Sequence, residues 1–175
     1  MRRWRPCRRR WPDGHVHFHA EHTFHAAKEA VLGVLADPAF AVALTLPDLD
    51  RPELLESTDD GVRALVRLRY EFAGTLDPMV RRLVGSDRLA WIQEARVDRS
   101  TCSGTLTFEA ERDPRRLHGS AQFSVAASGT GSVRHLDGEL VVAIPGIGRM
   151  AERRIVPGIL SRLDIEAASV DAELS

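Results

Sequence analysis

The sequence predicts an α+β domain: a seven-stranded antiparallel sheet laid against one long C-terminal helix, in the order strand, two helices, six strands, helix. Three observations predict it. Seven segments alternate apolar and polar residues with a period of two, the spacing of half-buried strands. Short turn-forming stretches such as "DDG", "DRST", "RDPRR" and "SGTGS" separate most of the later segments, so consecutive strands are expected to be antiparallel neighbours. Near position 147 the apolar spacing then changes to three and four residues.

The first strand covers residues 15–24. Val16, Phe18, Ala20, His22 and Phe24 alternate there with His15, His17, His19, Glu21 and Thr23. "AAKEAVLGVLAD" (26–37) turns helical, with Ala30, Val31, Val34 and Leu35 on one face. Asp37 is placed to cap a second short helix, "PAFAVAL", and Pro38 suits its first position, where the missing N–H costs nothing. "LPDLDRPE" is a loop. A short strand at 53–58 and the turn "DDG" (59–61) lead to a strand with Val62, Ala64, Val66, Leu68, Tyr70 and Phe72 on one face. "DPMVRRLVGSD" (77–87) interrupts the sheet with a helical turn or two, and Leu89 to Asp98 resumes it. Cys102, Gly104, Leu106, Phe108 and Ala110 face inward on the next strand. Leu117, Ala121, Phe123, Val125 and Ala127 follow, and then Leu136, Leu140, Val142 and Ile144. From about Ile147 to Leu174, one stripe holds Ile155, Ile159, Leu163, Ala167, Val170 and Leu174. Gly146 and Gly148 permit the tight turn into this helix, and Pro157 should kink it or start a new one.

Size and composition narrow the classes. A chain of 175 residues fits one domain with one sizeable core, too short for a barrel enzyme of eight strands and eight helices, which needs about 250 residues. Hydrophobic content of 43% and charged content of 28% are those of an ordinary globular protein. No stretch approaches the roughly 18 to 20 apolar residues of a membrane span. Two cysteines, Cys7 and Cys102, make no disulfide framework, and a reducing, cytoplasmic location is expected.

The net charge of −1 conceals an asymmetry. "MRRWRPCRRRWP" holds six arginines and no acid, whereas residues 13–175 carry 18 basic and 25 acidic side chains, a net −7. The folded part is therefore mildly acidic and is not expected to bind nucleic acid. Residues 1–14 read as a basic disordered tail, since like charges at this density cannot pack a core. They read equally as a start placed too far upstream, with translation beginning at Val16. No apolar run follows the arginines, so they do not open a secretory signal. The single domain is expected over 15–175.

Strand, two helices, six strands and a long helix is the order of the helix-grip fold. The chain resembles the START-like superfamily, also called the birch-pollen-allergen or polyketide-cyclase-like group. "FHAEHTFHAAKEAVLGVLADPAF", "VGSDRLAWIQEARVD" and "GELVVAIPGIGRMAERRIVPGIL" are similar to an actinobacterial domain-of-unknown-function family within it. The resemblance runs over roughly residues 15–174 and rests on a distributed pattern, not on a catalytic signature. It implies a curved sheet gripping the C-terminal helix with a cavity between them, where relatives take lipids, polyketides or other apolar molecules.

Five of the seven histidines fall in "HVHFHAEHTFH" (15–25). His15, His17 and His19 share the polar face of the first strand. A pair such as His17 and His19 supplies two ligands, fewer than the three or four that a working metal centre needs. A solvated strand face is expected, with no metal and no cofactor. His22 has inner parity, as a hydrogen-bonded core histidine or a polar group in the cavity wall. Cys102 has inner parity at a turn, with no histidine near it in sequence. Glu94, Glu109 and Glu111 face outward as solvated acids. No nucleophile elbow, phosphate-binding glycine loop or dinucleotide fingerprint occurs.

The expected function is binding of an apolar small molecule or lipid between sheet and C-terminal helix. Phe18, His22, Phe24, Tyr70, Phe72, Trp91, Gln93, Phe108, Phe123, Leu140, Ile159 and Leu163 are the expected cavity lining. Tyr70, Gln93 and His22 would be the few polar groups that orient the ligand. The mouth is expected near Pro38 to Leu44 and residues 77–87. Two alternatives stand beside this. One is a cyclase- or dehydratase-like enzyme using Tyr70 or His22 as acid or base; the other is a solid-core protein-interaction module. Ligand identity and oligomeric state are not set by the sequence.

Overall fold

A computed structural model describes residues 16–75 and 88–175, together with Pro78 and Arg81, both helical. Residues 1–15, which include the expected polar-face His15, and, apart from those two positions, the expected helical turns at 77–87 lie outside the described residues. The elements are β1 (Val16–Phe24), α1 (Lys28–Leu35), α2 (Pro38–Ala43), β2 (Glu53–Asp59), β3 (Arg63–Glu71), β4 (Ala90–Asp98), β5 (Ser103–Ala110), β6 (Leu117–Ser128), β7 (Gly131–Val142) and α3 (Gly148–Glu173).

The strands form one antiparallel sheet in the order β1-β7-β6-β5-β4-β3-β2. Strands β2 to β7 form the expected meander. Strand β1 closes the other edge by pairing with β7 along its whole length, from Val16 opposite Leu140 to Phe24 opposite Ser132. The curved sheet and the long C-terminal helix are those of the helix-grip fold.

Local chemistry sets the turns. The Asp60 carboxylate accepts the N–H groups of Val62 and Arg63, while Gly61 takes a left-handed φ of 85° that a side chain would resist. Asp98 likewise accepts from Ser100 and Thr101 between β4 and β5. Asp37 caps α2 as expected, accepting the N–H of Ala39 at 2.8 Å with Pro38 in the first turn.

Several expected positions shift. Val62 lies in the β2–β3 turn and is 48% exposed, because the strand begins only at Arg63. Ala127 is exposed at the far end of β6. Helix α1 is rotated from the expected face: Val31, Leu32 and Ala36 are buried and Ala30 is exposed. Strand β2 is the sheet edge and buries none of its residues. Helix α3 runs unbroken from Gly148 to Glu173 with Pro157 inside it. Pro157 lies on the exposed side, where its ring and missing N–H disturb the least packing.

The core divides into three clusters. Leu163, Ala167 and Val170 of α3 pack with Phe18, Phe24, Val31, Leu32, Phe123 and Leu136. Ala151 packs with Ala110, Leu117, Leu140 and Val142. Val66, Leu68, Tyr70 and Trp91 form a third group beneath Ala41, Val42, Leu46 and Leu49. At the start of α3 the buried Glu152 accepts the N–H of Val142 at 2.9 Å, tying the helix to the end of β7. The helix packs on β1, β7 and α1.

Three inner-face phenylalanines each sit opposite a glycine on the next strand: Phe18 opposite Gly138, Phe108 opposite Gly119, and Phe123 opposite Gly104. A Cβ on any of these glycines would lie within 2.4 Å of the facing ring. The rings thus lie down along the sheet instead of standing up from it, and the concave face stays open.

Candidate ligand-binding site

A cavity of about 410 Å³ lies between the concave sheet and α3. Its volume is in the range of small-molecule sites, about 300–1,000 Å³. Of the twelve residues expected to line it, Phe18, Tyr70, Phe72, Trp91, Gln93, Phe108, Ile159 and Leu163 are at its wall. Leu44 at the end of α2, and Leu46 and Leu49 of the following loop, contribute near the expected mouth, as do Thr75 and Leu89. Phe123 lines a smaller adjoining space of about 40 Å³.

His22, Phe24 and Leu140 are elsewhere. Leu140 is completely buried in the second cluster, and Phe24 lies beneath the guanidinium of Arg134, 5.9 Å from ring centre to Cζ. His22 is taken up by a polar network between β1, β7 and α3. Its Nε2 meets Asp164 at 3.1 Å, and its Nδ1 faces the Nε and Nη2 of Arg134 at 3.3 and 3.2 Å. Arginine only donates, so Nδ1 must accept and Nε2 carries the proton toward Asp164. Burial, and then the neighbouring Arg134 charge, pull the His22 pKa below its ordinary value despite Asp164.

Arg134 is one residue that sequence reasoning missed. It is 1% exposed, donates to Glu166 at 2.5 Å and reaches the Leu163 carbonyl at 3.5 Å. Its signal was available, because Ser132, Arg134 and Leu136 share inner parity on β7 and all three are buried.

Arg162 was also missed. It lies three residues after Ile159 and seven after Ile155, on the stripe of α3 that faces the cavity. Its guanidinium sits over the Trp91 ring, 5.3 Å from the centroid. Trp91 in turn stacks on Tyr70, with centroids 5.5 Å apart and planes 13° from parallel. Burial lowers the Arg162 pKa from its ordinary high value, and desolvation pushes the Tyr70 phenol well above its own. Among the described residues neither the Tyr70 hydroxyl nor the Gln93 amide has a hydrogen-bond partner. Glu166, also at the wall, is neutralised by Arg134.

Outside the cavity, the histidine-rich segment is arranged by the register of β1 on β7. His19 pairs with Asp137 at 3.0 Å and Glu21 with His135 at 3.2 Å, across two directly opposed positions. The ligand atoms of His19, Glu21 and His135 lie within 4.8 Å of one another on the outer face. A group of three candidate ligands thus forms from His19, Glu21 and His135, and cross-strand pairing already accounts for it. Cys102 sits in the β4–β5 turn with a φ of 50°, and its sulfur takes a hydrogen bond from Lys28 at 3.0 Å. Glu111 receives two bonds from Arg69 at 2.8 and 2.9 Å, and Glu94 one from Arg96 at 2.7 Å. A wider depression of about 700 Å³ at the β2–β3 and β4–β5 turns is bordered by Asp59, Arg63 and Asp98, which already form ion pairs.

A family model described as Protein of unknown function (DUF2505) matches residues 19–172. The chain belongs to this family. No curated protein matches it in sequence. For this DUF2505 member, solved structures of low identity share the fold. A START superfamily protein of Mycobacterium smegmatis is 14% identical, with 93% of this chain and 100% of that one covered and a TM-score of 0.58. The Zhui aromatase/cyclase of Streptomyces sp. R1128 is 15% identical over 93% and 97% of the two chains, with a TM-score of 0.61. A point mutant of Thalictrum flavum norcoclaurine synthase, in complex with a transition-state analogue, is 19% identical over 93% and 99%, with a TM-score of 0.62. Among the described residues no helix is long and apolar enough to cross a membrane.

Proposed function

We propose that this DUF2505 member binds an apolar small molecule or lipid in the cavity between the sheet and α3. The observation that carries the reading is the cavity itself: about 410 Å³, walled by Phe18, Phe72, Trp91, Phe108, Ile159 and Leu163. Burying apolar ligand surface there would contribute about 25 cal/mol per Å², less the cost of ordering the ligand. Tyr70 and Gln93 supply polar groups that no hydrogen bond among the described residues takes up, the means by which apolar sites orient what they hold. The same cavity counts against a solid-core interaction module.

Binding is favoured over the cyclase- or dehydratase-like alternative by the state of the candidate acids and bases. The Tyr70 phenol is pushed up, away from the neutral range in which proton transfer is efficient. His22 is held by Asp164 and Arg134 and is absent from the cavity wall. The fold neighbours include both an aromatase/cyclase and a START superfamily protein, so the fold by itself favours neither.

The test is native mass spectrometry of gently purified protein, together with titration of an apolar fluorescent dye. A co-purified apolar molecule, or saturable dye binding that Ile159→Trp abolishes while leaving the melting temperature intact, is expected. Absence of both would remove the proposal.

A further inference from the structure

The cavity is apolar, yet it contains a guanidinium. Arg162 reaches its wall from α3, is half-buried, and rests on the face of Trp91 5.3 Å from the ring centre. Among the described residues no carboxylate, carbonyl or hydroxyl hydrogen-bonds to it. Asp48, an exposed loop residue, attracts it without forming an ion pair. Glu166, one turn along the same helix, gives its carboxylate to Arg134 at 2.5 Å. His22, which bridges Arg134 and Asp164, is held toward its neutral form, and Tyr70 is a protonated phenol at neutral pH.

The charges around the cavity therefore do not cancel. Among the described residues Arg134 and Glu166 neutralise each other, Tyr70 and Gln93 are neutral, Arg154 lies exposed at the rim, and Arg162 is left over inside with several N–H donors. A half-buried cation is costly unless a counter-charge meets it, and a planar guanidinium suits a carboxylate in two parallel hydrogen bonds. The Trp91 face offsets only part of that cost.

We propose that the ligand is an amphiphilic monocarboxylate, its apolar body against Phe18, Phe108 and Ile159 and its carboxylate on Arg162, with the Tyr70 hydroxyl as a second donor. This rests on the cavity being a binding site, and the ligand pair below separates the two ideas.

The experiment is displacement of a neutral dye, N-phenylnaphthylamine, by decanoate and by decanol at pH 7.5. The two share a ten-carbon chain and differ in charge. In the unaltered protein decanoate is expected to displace the dye at least about tenfold more effectively, the factor that 1.4 kcal/mol supplies. Arg162→Gln should bring the two ligands together by weakening decanoate and leaving decanol unchanged, and Arg162→Lys should restore part of the preference. Arg153→Gln, exposed on the same helix and outside the cavity wall, should leave the preference intact. Equal displacement by acid and alcohol in the unaltered protein would overturn the inference without any variant, and so would a preference that survives Arg162→Gln or disappears with Arg153→Gln. Dye binding with no displacement by decanoate overturns it while the cavity reading stands. Failure of the dye and both ligands to bind overturns both.

Discussion

Replacing Arg134 by methionine tests the polar network that joins the paired strands β1 and β7 to α3. Arg134 is 1% exposed, and its guanidinium donates to Glu166 at 2.5 Å, to His22 Nδ1 at 3.3 and 3.2 Å and to the Leu163 carbonyl at 3.5 Å. Methionine keeps most of the aliphatic stem, so the packing loss is small. What remains is an unpaired carboxylate: the Glu166 side chain is only 19% exposed. Breaking a buried pair by removing one partner costs about 3–5 kcal/mol, and the residual access of water to Glu166 places this case near 3. With a urea slope of about 2 kcal/mol per molar, the midpoint should fall by about 1.5 M. Arg134→Met with Glu166→Gln should recover about 1 kcal/mol or more, because the uncompensated charge is gone. Urea unfolding followed by circular dichroism measures both. A loss below about 1 kcal/mol for the single variant, the size of an exposed pair, would refute the reasoning. So would a double variant no more stable than the single one.

Other outcomes follow from the same structure. His22 has a folded pKa below its ordinary 6.5, so the unfolded chain binds its proton first; stability is full above that value and is lost as the pH falls from 6.5 through the lower folded pKa. Thermal melts across that window should show the decline, and His22→Gln, which keeps an acceptor for Arg134, should flatten it. Gly138→Ala puts a Cβ 2.4 Å from the Phe18 ring and should cost about 1–3 kcal/mol in urea unfolding while weakening dye binding, since Phe18 is at the cavity wall. Asp37→Ala removes the α2 cap and should cost about 1 kcal/mol, with Asp37→Ser restoring most of it.

Much of the architecture was legible in local patterns. Alternation along β1, β3, β4 and β5 puts Phe18, Tyr70, Trp91 and Phe108 on one face, because side-chain direction in a strand is set by parity alone. The four-residue spacing of Ile155, Ile159 and Leu163 likewise marked the side of α3 that meets the sheet. The Asp37–Pro38 cap needed only its own residues. Errors gathered where elements end: Val62 and Ala127 fit the alternation but lie beyond the packed part of their strands.

Long-range pairing decided the rest. That β1 lies beside β7, over a hundred residues away in sequence, fixes Glu21 opposite His135 and His19 opposite Asp137, and no local spacing contains that register. The same pairing brings His22 beside Arg134, so a histidine whose parity fitted the cavity is held in a network instead. Whether an inward side chain is core or wall depends on how far the opposing helix stands from it. Helix α3 lies close on β1 and β7 and buries Phe24 and Leu140, while Tyr70, Trp91 and Phe108 face open space. The sequence alone determined which residues point inward; only the tertiary structure decided which of them meet another side chain and which meet the cavity.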